Sequence, residues 1–313
     1  MEVCSLIKYI TQRVFYSILT LFLIVSLTFF LLQLMPGSPF NDEKLAPAQI
    51  EILNEAYGLN DSIPQQYVRY MNKAIHGDFG VSFKYNNRPV SEMIYSKLLL
   101  TSQIGFQALL FGTIVGIFLG IIAGLNRDRF LDHFTVVIAI LGVSIPSFVM
   151  AALLQYWLGV EARILPVVYN KTFLSTLMPS FSLALFVIAS ATRFMRTELV
   201  EILNSDFILL AKAKGLTRKA VIYKHALRNA MIPVITIVGP MTVSLLTGST
   251  VVEKIFGVPG LGNMLVTAIN TNDIFVIMGC ATFYSAIFII VIFIIDILYG
   301  IIDPRIRLTG GAK

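Results

Sequence analysis

Six runs of this chain are too long and too apolar to fold in water. A membrane helix needs about 20 mostly apolar residues, because each adds about 1.5 Å across a hydrocarbon layer about 30 Å thick. Stretches at roughly 14–35, 98–125, 134–158, 179–195, 230–252 and 274–299 qualify. Only 13% of the residues are charged, against about 25% in a typical soluble domain. The polar surface is too small to coat a globule, so the expected fold is all-α and polytopic, with six transmembrane helices. The first run, from Val14 to Met35, has no A-x-A site after it. It is also longer than the roughly 7–15 apolar residues of a secretory signal, so it reads as a retained span.

Lys and Arg collect on the cytoplasmic side of membrane proteins. With the N-terminus placed inside, fifteen of the 24 basic residues fall in inner segments, against seven acidic ones. The two short outer loops hold only Arg163, Lys171 and Lys254. Both termini are therefore expected in the cytoplasm. The net charge of +6 belongs to the inner face, and nucleic acid is not needed to explain it. Cys4 and Cys280 are too few and too far apart for a disulfide framework or a metal cluster.

Within the second run, Gly112, Gly116, Gly120 and Gly124 recur every four residues. That period lines them along one helix face, where missing side chains let another backbone approach, so they are expected to serve helix packing. Pro146 and Pro240 lie inside the third and fifth runs, and each can kink its helix. Arg193, Arg196 and Asp296 lie near span ends, where charged side chains are expected to snorkel to the interface.

Residues 36–97 are too polar for membrane and too long for a turn. "PAQIEILNEAYG" carries Ile50, Leu53, Ala56 and Tyr57 at helical spacing and ends in Gly58. "DSIPQQYVRYMNKAIHG" repeats the pattern, with Asp61 or Ser62 as cap, Tyr67, Tyr70, Met71 and Ile75 on one face, and Gly77 at the end. A small helical region outside the membrane is expected.

The segment "AKAKGLTRKAVIYKHALRNAMIP", residues 211–233, holds six Lys or Arg and one His. Placing six charges in hydrocarbon at roughly 2.5–3.5 kcal/mol each costs on the order of 15 kcal/mol or more, so the segment stays in the cytoplasm. Leu216, Ala220, Tyr223, Leu227 and Met231 follow a helical spacing that forms an apolar stripe. Thr217 is placed to cap that helix, with Leu216 and Val221 as a staple across the cap. Gly215 sits where a preceding helix through "DFILLAKAK" would end. The pattern by itself leaves three surfaces open: anionic lipid, plain solvent under the positive-inside bias, or a groove on another protein.

Motifs spread over nearly the whole chain decide among them. Besides "AKAKGLTRKAVIYKHALRNAMIPV" they are "LMPGSP", "YGLNDSIPQQYVRYMNKAIHGDFGVSF", "SIPSFVMA", "FGVPGLGNMLVTAI" and "DPRIR". In order and spacing the chain resembles ABC-importer permeases of the peptide and nickel branch, and within it the B-type membrane subunit of oligopeptide permeases. The resemblance implies the type I importer architecture: one permease domain over 1–313, with an extracellular insertion at 36–97 and a cytoplasmic coupling loop at 196–229. It implies that Asp206, Ala211, Ala213, Lys214, Gly215, Leu216, Ala220, Tyr223, Leu227 and Arg228 meet an ATPase. Ser244, Thr247, Ser249 and Thr250 of the fifth run are the candidate pathway residues. The implied partners are a second homologous permease subunit, two cytoplasmic ABC ATPases, an extracellular lipid-anchored or periplasmic peptide-binding protein, and the bilayer of a prokaryotic cell membrane.

One departure stands out. The wider importer signature begins Glu-Ala-Ala, but the matching positions here are Leu209, Leu210 and Ala211. ATP and magnesium would sit on the partner ATPases, since no G-x-x-x-x-G-K-[ST] occurs in this chain. The cargo expected from the resemblance is an oligopeptide, with a dipeptide or nickel chelate as the alternative. Two other classes are weaker. An intramembrane enzyme would need a metal-binding or nucleophile–base pattern, and a secondary transporter would show inverted repeats; neither is found in the sequence.

Overall fold

The computed structural model describes residues 2–34 and 47–302, and every extended regular element in them is helical. In chain order these are α1 (Glu2–Gln33), α2 (Pro47–Tyr57), α3 (Ile63–Ile75), α4 (Val90–Leu125), α5 (Phe130–Ser144), α6 (Ser147–Leu154) and α7 (Leu174–Leu203). Then come α8 (Asp206–Ala213), α9 (Arg218–Ala220), α10 (Leu227–Leu246), α11 (Thr250–Ile255), α12 (Leu261–Asn270) and α13 (Ile274–Ile302). A π-helical turn, Gln155–Glu161, extends α6, and another, Val221–Ala226, joins α9 to α10. Arg218–Leu246 is thus one helix of 29 residues. The motif "DPRIR" and nearly all of "LMPGSP" lie outside the described residues.

Among the described residues, five helices are long and apolar enough to cross a membrane. The third expected run is different. It is broken into Phe130–Ser144 and Ser147–Glu161, bent by 99°, and counts as a sixth span only if the pair is taken together. Pro146 supplies the cause: it has no N–H to donate and pushes the residue before it out of the helical region. Ile145 accordingly has ψ 116°. Each half spans only about 22 Å, short of the hydrocarbon thickness. The fifth run also differs from its expected bounds. The helix begins at Arg218 and ends at Leu246, where Gly248 takes a left-handed φ of +85°.

The chain divides into two compact units, Met1–Leu100 with Pro259–Lys313, and Thr101–Val258. In the first, α1 packs on α13, and Val25, Phe29, Tyr70 and Met278 form a shared core. Arg13 Nη1 lies 3.0 Å from Asp296 Oδ2. Asp296 therefore has a helix partner rather than reaching for the interface. A second core joins Val90, Met93 and Ile94 to Leu261, Met264 and Ala268 and to Val276, Ile277 and Cys280.

Helix α3 has Ser62 at its N-cap, and the Ser62 backbone N–H donates to Gln65 Oε1. Gly58 and Gly77, after α2 and α3, have φ +66° and +78°. The packed face of α3 is Tyr67, Tyr70, Met71 and Ala74. Ile75, expected on that face, is exposed instead, since it lies about 100° further round than Ala74. Burial pushes the Tyr70 phenol up to about 12, so the hydroxyl stays neutral beside Thr282 Oγ1 at 2.9 Å. Of the face expected on α2, Tyr57 stands edge-on to Phe83; the side chains of Ile50, Leu53 and Ala56 lie outside the described residues.

In the second unit α4 meets α7 through the glycine row. A Cβ at Gly112, Gly116 or Gly120 would lie 2.5–2.6 Å from the Cβ of Val187, Ala191 or Met195. One at Gly124 would meet Leu199 at 3.0 Å. Both rows repeat every four residues, so ridge and groove stay in register over more than three turns. Thr192 Oγ1 donates to the Gly116 carbonyl at 3.2 Å, a contact possible only where the backbones are this close.

Candidate functional site

The basic segment is built on α7. Ser205 stands at the N-cap position of α8 with its hydroxyl donating back to the Ile202 carbonyl, and Asp206 in the first turn complements the positive end of the helix dipole. Lys212 and Lys214 follow at the other end, where Gly215 turns the chain with φ +78°. The Gly215 and Leu216 amides donate back to the carbonyls of Lys212 and Ala211, which satisfies part of the open C-terminus of α8. Thr217 Oγ1 then accepts from the Ala220 amide at 3.3 Å and starts the next helix. Helix, glycine turn and capped helix follow from these residues.

The face that holds this segment in place is not the expected stripe. Ile208, Ala211, Val221, Ala226, Ala230 and Val234 are buried with Ala191, Met195 and Leu199 of α7. Val221 to Ala226 is a step of five, followed by two steps of four. The π-helical turn at 221–226 takes up the extra residue and keeps all four side chains on one face. Leu216, Tyr223 and Met231 of the expected stripe are exposed, Tyr223 to 71%, while Ala220 and Leu227 are half-buried. Leu216 and Val221 accordingly differ: Val221 is buried and Leu216 is not.

The segment therefore presents an outer surface made of both apolar and basic groups. Phe207, Leu209 and Leu210 on α8 are exposed together with Leu216 and Tyr223. Ala213, Lys214 and Arg228 stand in the same exposed set, as do Lys212, Arg218, Lys219 and Lys224. Leu209 and Leu210 stand where the wider signature has Glu-Ala, so the exposed surface is apolar at that point. Phe207 and Leu209 were not singled out from the sequence as site residues. Their signal was a run of four large apolar residues, Phe207 to Leu210, only one of which a short helix can bury on α7.

Of the candidate pathway residues, Ser249 lines a small pocket with Thr101, Leu245 and Glu253, and two others bond to their own helix. Ser244 Oγ donates to the Met241 carbonyl at 2.9 Å and Thr247 Oγ1 to the Ser244 carbonyl at 3.1 Å. Ser249 is the N-cap of α11 and Thr250 its first residue, beyond the end of α10. Nearby, Glu253 is buried and accepts from Thr101 Oγ1 at 3.1 Å. Gln155 Nε2 donates to the carbonyls of Val167 and Ile255, both at 2.9 Å. These bonds tie α11 to α4 and to the π-helical turn after α6.

A separate cleft of about 810 Å³ lies in the first unit, among α1, the end of α2, α3 and α13. Its cations are matched: Arg69 pairs with Asp61, and Lys73 lies 3.8 Å from Asp78. Among the described residues no His, Cys, Asp or Glu group is clustered for a metal.

An α-helical chain with five or six helices able to cross a membrane and a basic segment docked between two of them defines a class, the polytopic integral membrane proteins. The chain belongs to the family described as the binding-protein-dependent transport system inner membrane component, whose pattern matches residues 116–308. The N-terminal pattern of the same membrane components matches residues 6–104. It is 46% identical over 303 residues to a dipeptide transport system permease protein of Lactococcus lactis subsp. cremoris, covering 97% of this chain and 100% of that protein. The dipeptide permease protein of Bacillus subtilis is 40% identical, with 96% and 98% covered. The oligopeptide transport system permease protein of Escherichia coli K12 is 37% identical, with 96% and 100% covered. In fold, the chain is similar to an amino acid ABC transporter crystallised with histidines, at TM-score 0.51, 16% identity, 66% of this chain and 92% of that one.

Proposed function

We propose that this chain is one membrane subunit of an ATP-driven importer of peptides. It works with a second homologous permease subunit, two cytoplasmic ATPases and an extracellular peptide-binding protein. On this reading residues 1–313 are one permease domain, 36–97 an outer insertion, and both termini cytoplasmic. Nucleotide and magnesium belong to the ATPases, and the chain itself is not catalytic. The observation that carries the reading is the outward apolar and basic surface of α8–α10. Its own inner face is already buried on α7, so Tyr223, Leu209 and Leu210 are available to a partner. Because Arg218–Leu246 is one helix, a push on that surface acts directly on α10. Peptide cargo is supported by relatives bearing both dipeptide and oligopeptide names.

The test uses the chain co-expressed with its transport partners and reconstituted in lipid vesicles. Tyr223→Asp places a charge at the most exposed point of the surface. The variant is expected to insert and keep its helix content, yet lose peptide uptake by about tenfold or more. ATP hydrolysis would no longer respond to peptide-loaded binding protein. Uptake at the parent rate would remove the coupling role, and uptake by this chain alone on an ion gradient would replace the reading with a secondary transporter.

A further inference from the structure

A carboxylate and a guanidinium inside the second unit have no place in that description. Arg196 Nε donates to Asp132 Oδ1 at 2.6 Å and Arg196 Nη2 to Oδ2 at 2.7 Å. Asp132 Oδ2 also accepts from the Asp128 amide at 2.9 Å. The Asp132 side chain is 1% exposed and that of Arg196 28%. Asp132 lies in the first turn of α5, and Arg196 lies on α7. The expectation that Arg196 snorkels free is replaced by a two-point fork between helices.

We propose that the Asp132–Arg196 pair is a positioning contact for transport, which makes α5 follow the end of α7 that carries the α8–α10 segment. The inference rests on the coupling role proposed above. On the same stretch of α7, Met195 and Leu199 are buried against Ile208, Val221 and Ala226, while Arg196, one residue round, grips α5. The seam between α5 and α7 has a tight apolar point near the bend, where a Cβ on Gly142 would come within 3.1 Å of Ala189 Cβ. Beside the seam runs an open groove of about 240 Å³, lined by Val136, Ala139, Ile140, Val143, Thr192 and, at its charged end, Arg196. Ala139, Ala189 and Thr192 are buried along the seam, so the helices are held by apolar contact near the bend and by charge at the far end. A planar, bidentate pair fixes angle as well as distance. Parting it would leave a carboxylate buried without its cation, so moving both helices together is favoured over sliding one past the other. Since α5 leads through a 99° bend into α6, a displacement of α7 reaches the outer half of the broken span.

The experiment uses the reconstituted complex and reads peptide imported per ATP hydrolysed. Asp132→Asn keeps size and shape and removes the charge. It is expected to leave assembly and basal ATP hydrolysis unchanged while the ratio falls about tenfold. Asp132→Glu, and the exchange Asp132→Arg with Arg196→Asp, are expected to restore a measurable part of it. A parent ratio in Asp132→Asn would overturn the proposal. So would a loss of assembly that matches the loss of transport and that neither restoring variant reverses. A parent complex that imports no peptide with ATP would instead sink the coupling reading. The pair is then judged alone, by spin labels at the exposed Val137 and Thr197 in a Cys4→Ser background that leaves the buried Cys280 in place. The α5–α7 distance is expected to broaden in Asp132→Asn, and an unchanged distribution would overturn the role of the pair.

Discussion

Gly116 shows how a missing side chain becomes a structural requirement. An added Cβ there would sit 2.6 Å from Ala191 Cβ and 2.8 Å from the Ile188 carbonyl oxygen; neither can swing aside. Gly116→Ala is therefore expected to force α4 from α7 and cost about 1–3 kcal/mol, read as a lower unfolding midpoint in detergent. Gly215→Ala tests a different cause. Nothing lies within 4 Å of its added Cβ, but φ is +78°, so only the left-handed backbone is penalised, by about 1–2 kcal/mol. Thr217→Ala removes the acceptor for the Ala220 amide and is expected to cost about 1 kcal/mol, with faster hydrogen exchange confined to the start of α9. These residues were legible because each obeys a local rule: a four-residue period, a helix-ending glycine, a cap. Asp132 and Arg196 were not, because 64 positions separate them and neither carries a local pattern that names the other.

At the scale of elements, the sequence predicts the helices and the turn of the basic segment and an apolar stripe offered to a partner, but not the separate face that buries the segment on α7. The stripe through Leu216, Tyr223 and Met231 assumed an undisturbed 3.6-residue period. The π-helical turn at Val221–Ala226 adds a residue to the register, and the buried row becomes Val221, Ala226, Ala230 and Val234. A sequence pattern identifies an apolar face without saying whether its partner is in the same chain. Deleting Lys224, an exposed residue of that turn, would return the buried row to steps of four, which an ordinary α-helix accommodates. The variant is expected to unfold near the parent temperature with the same circular dichroism. The sequence predicts the third span as one helix that Pro146 can kink. Its 99° bend depends on Pro146 and on how α5 and α6 each pack against α7, and the proline alone predicts only a break.

For the whole molecule, the proposed orientation has a direct test. Lys212, Lys214, Arg218 and Lys219 are exposed around Gly215. Trypsin should cut there in inverted vesicles and spare the site in right-side-out ones; the reverse would turn the topology over. By itself the sequence determined the class of fold, the positions of the apolar runs and the glycine seam. Hydrophobic length, charge bias and helical period are local properties, and a bilayer reads them nearly residue by residue. Tertiary structure alone decided which face of the basic segment is buried, where the third span breaks its direction, and that Asp132 and Arg196 meet. Those outcomes come from contacts between helices far apart in the chain. There the close packing of α4, α7 and α10 buries one face of the segment and leaves the other exposed.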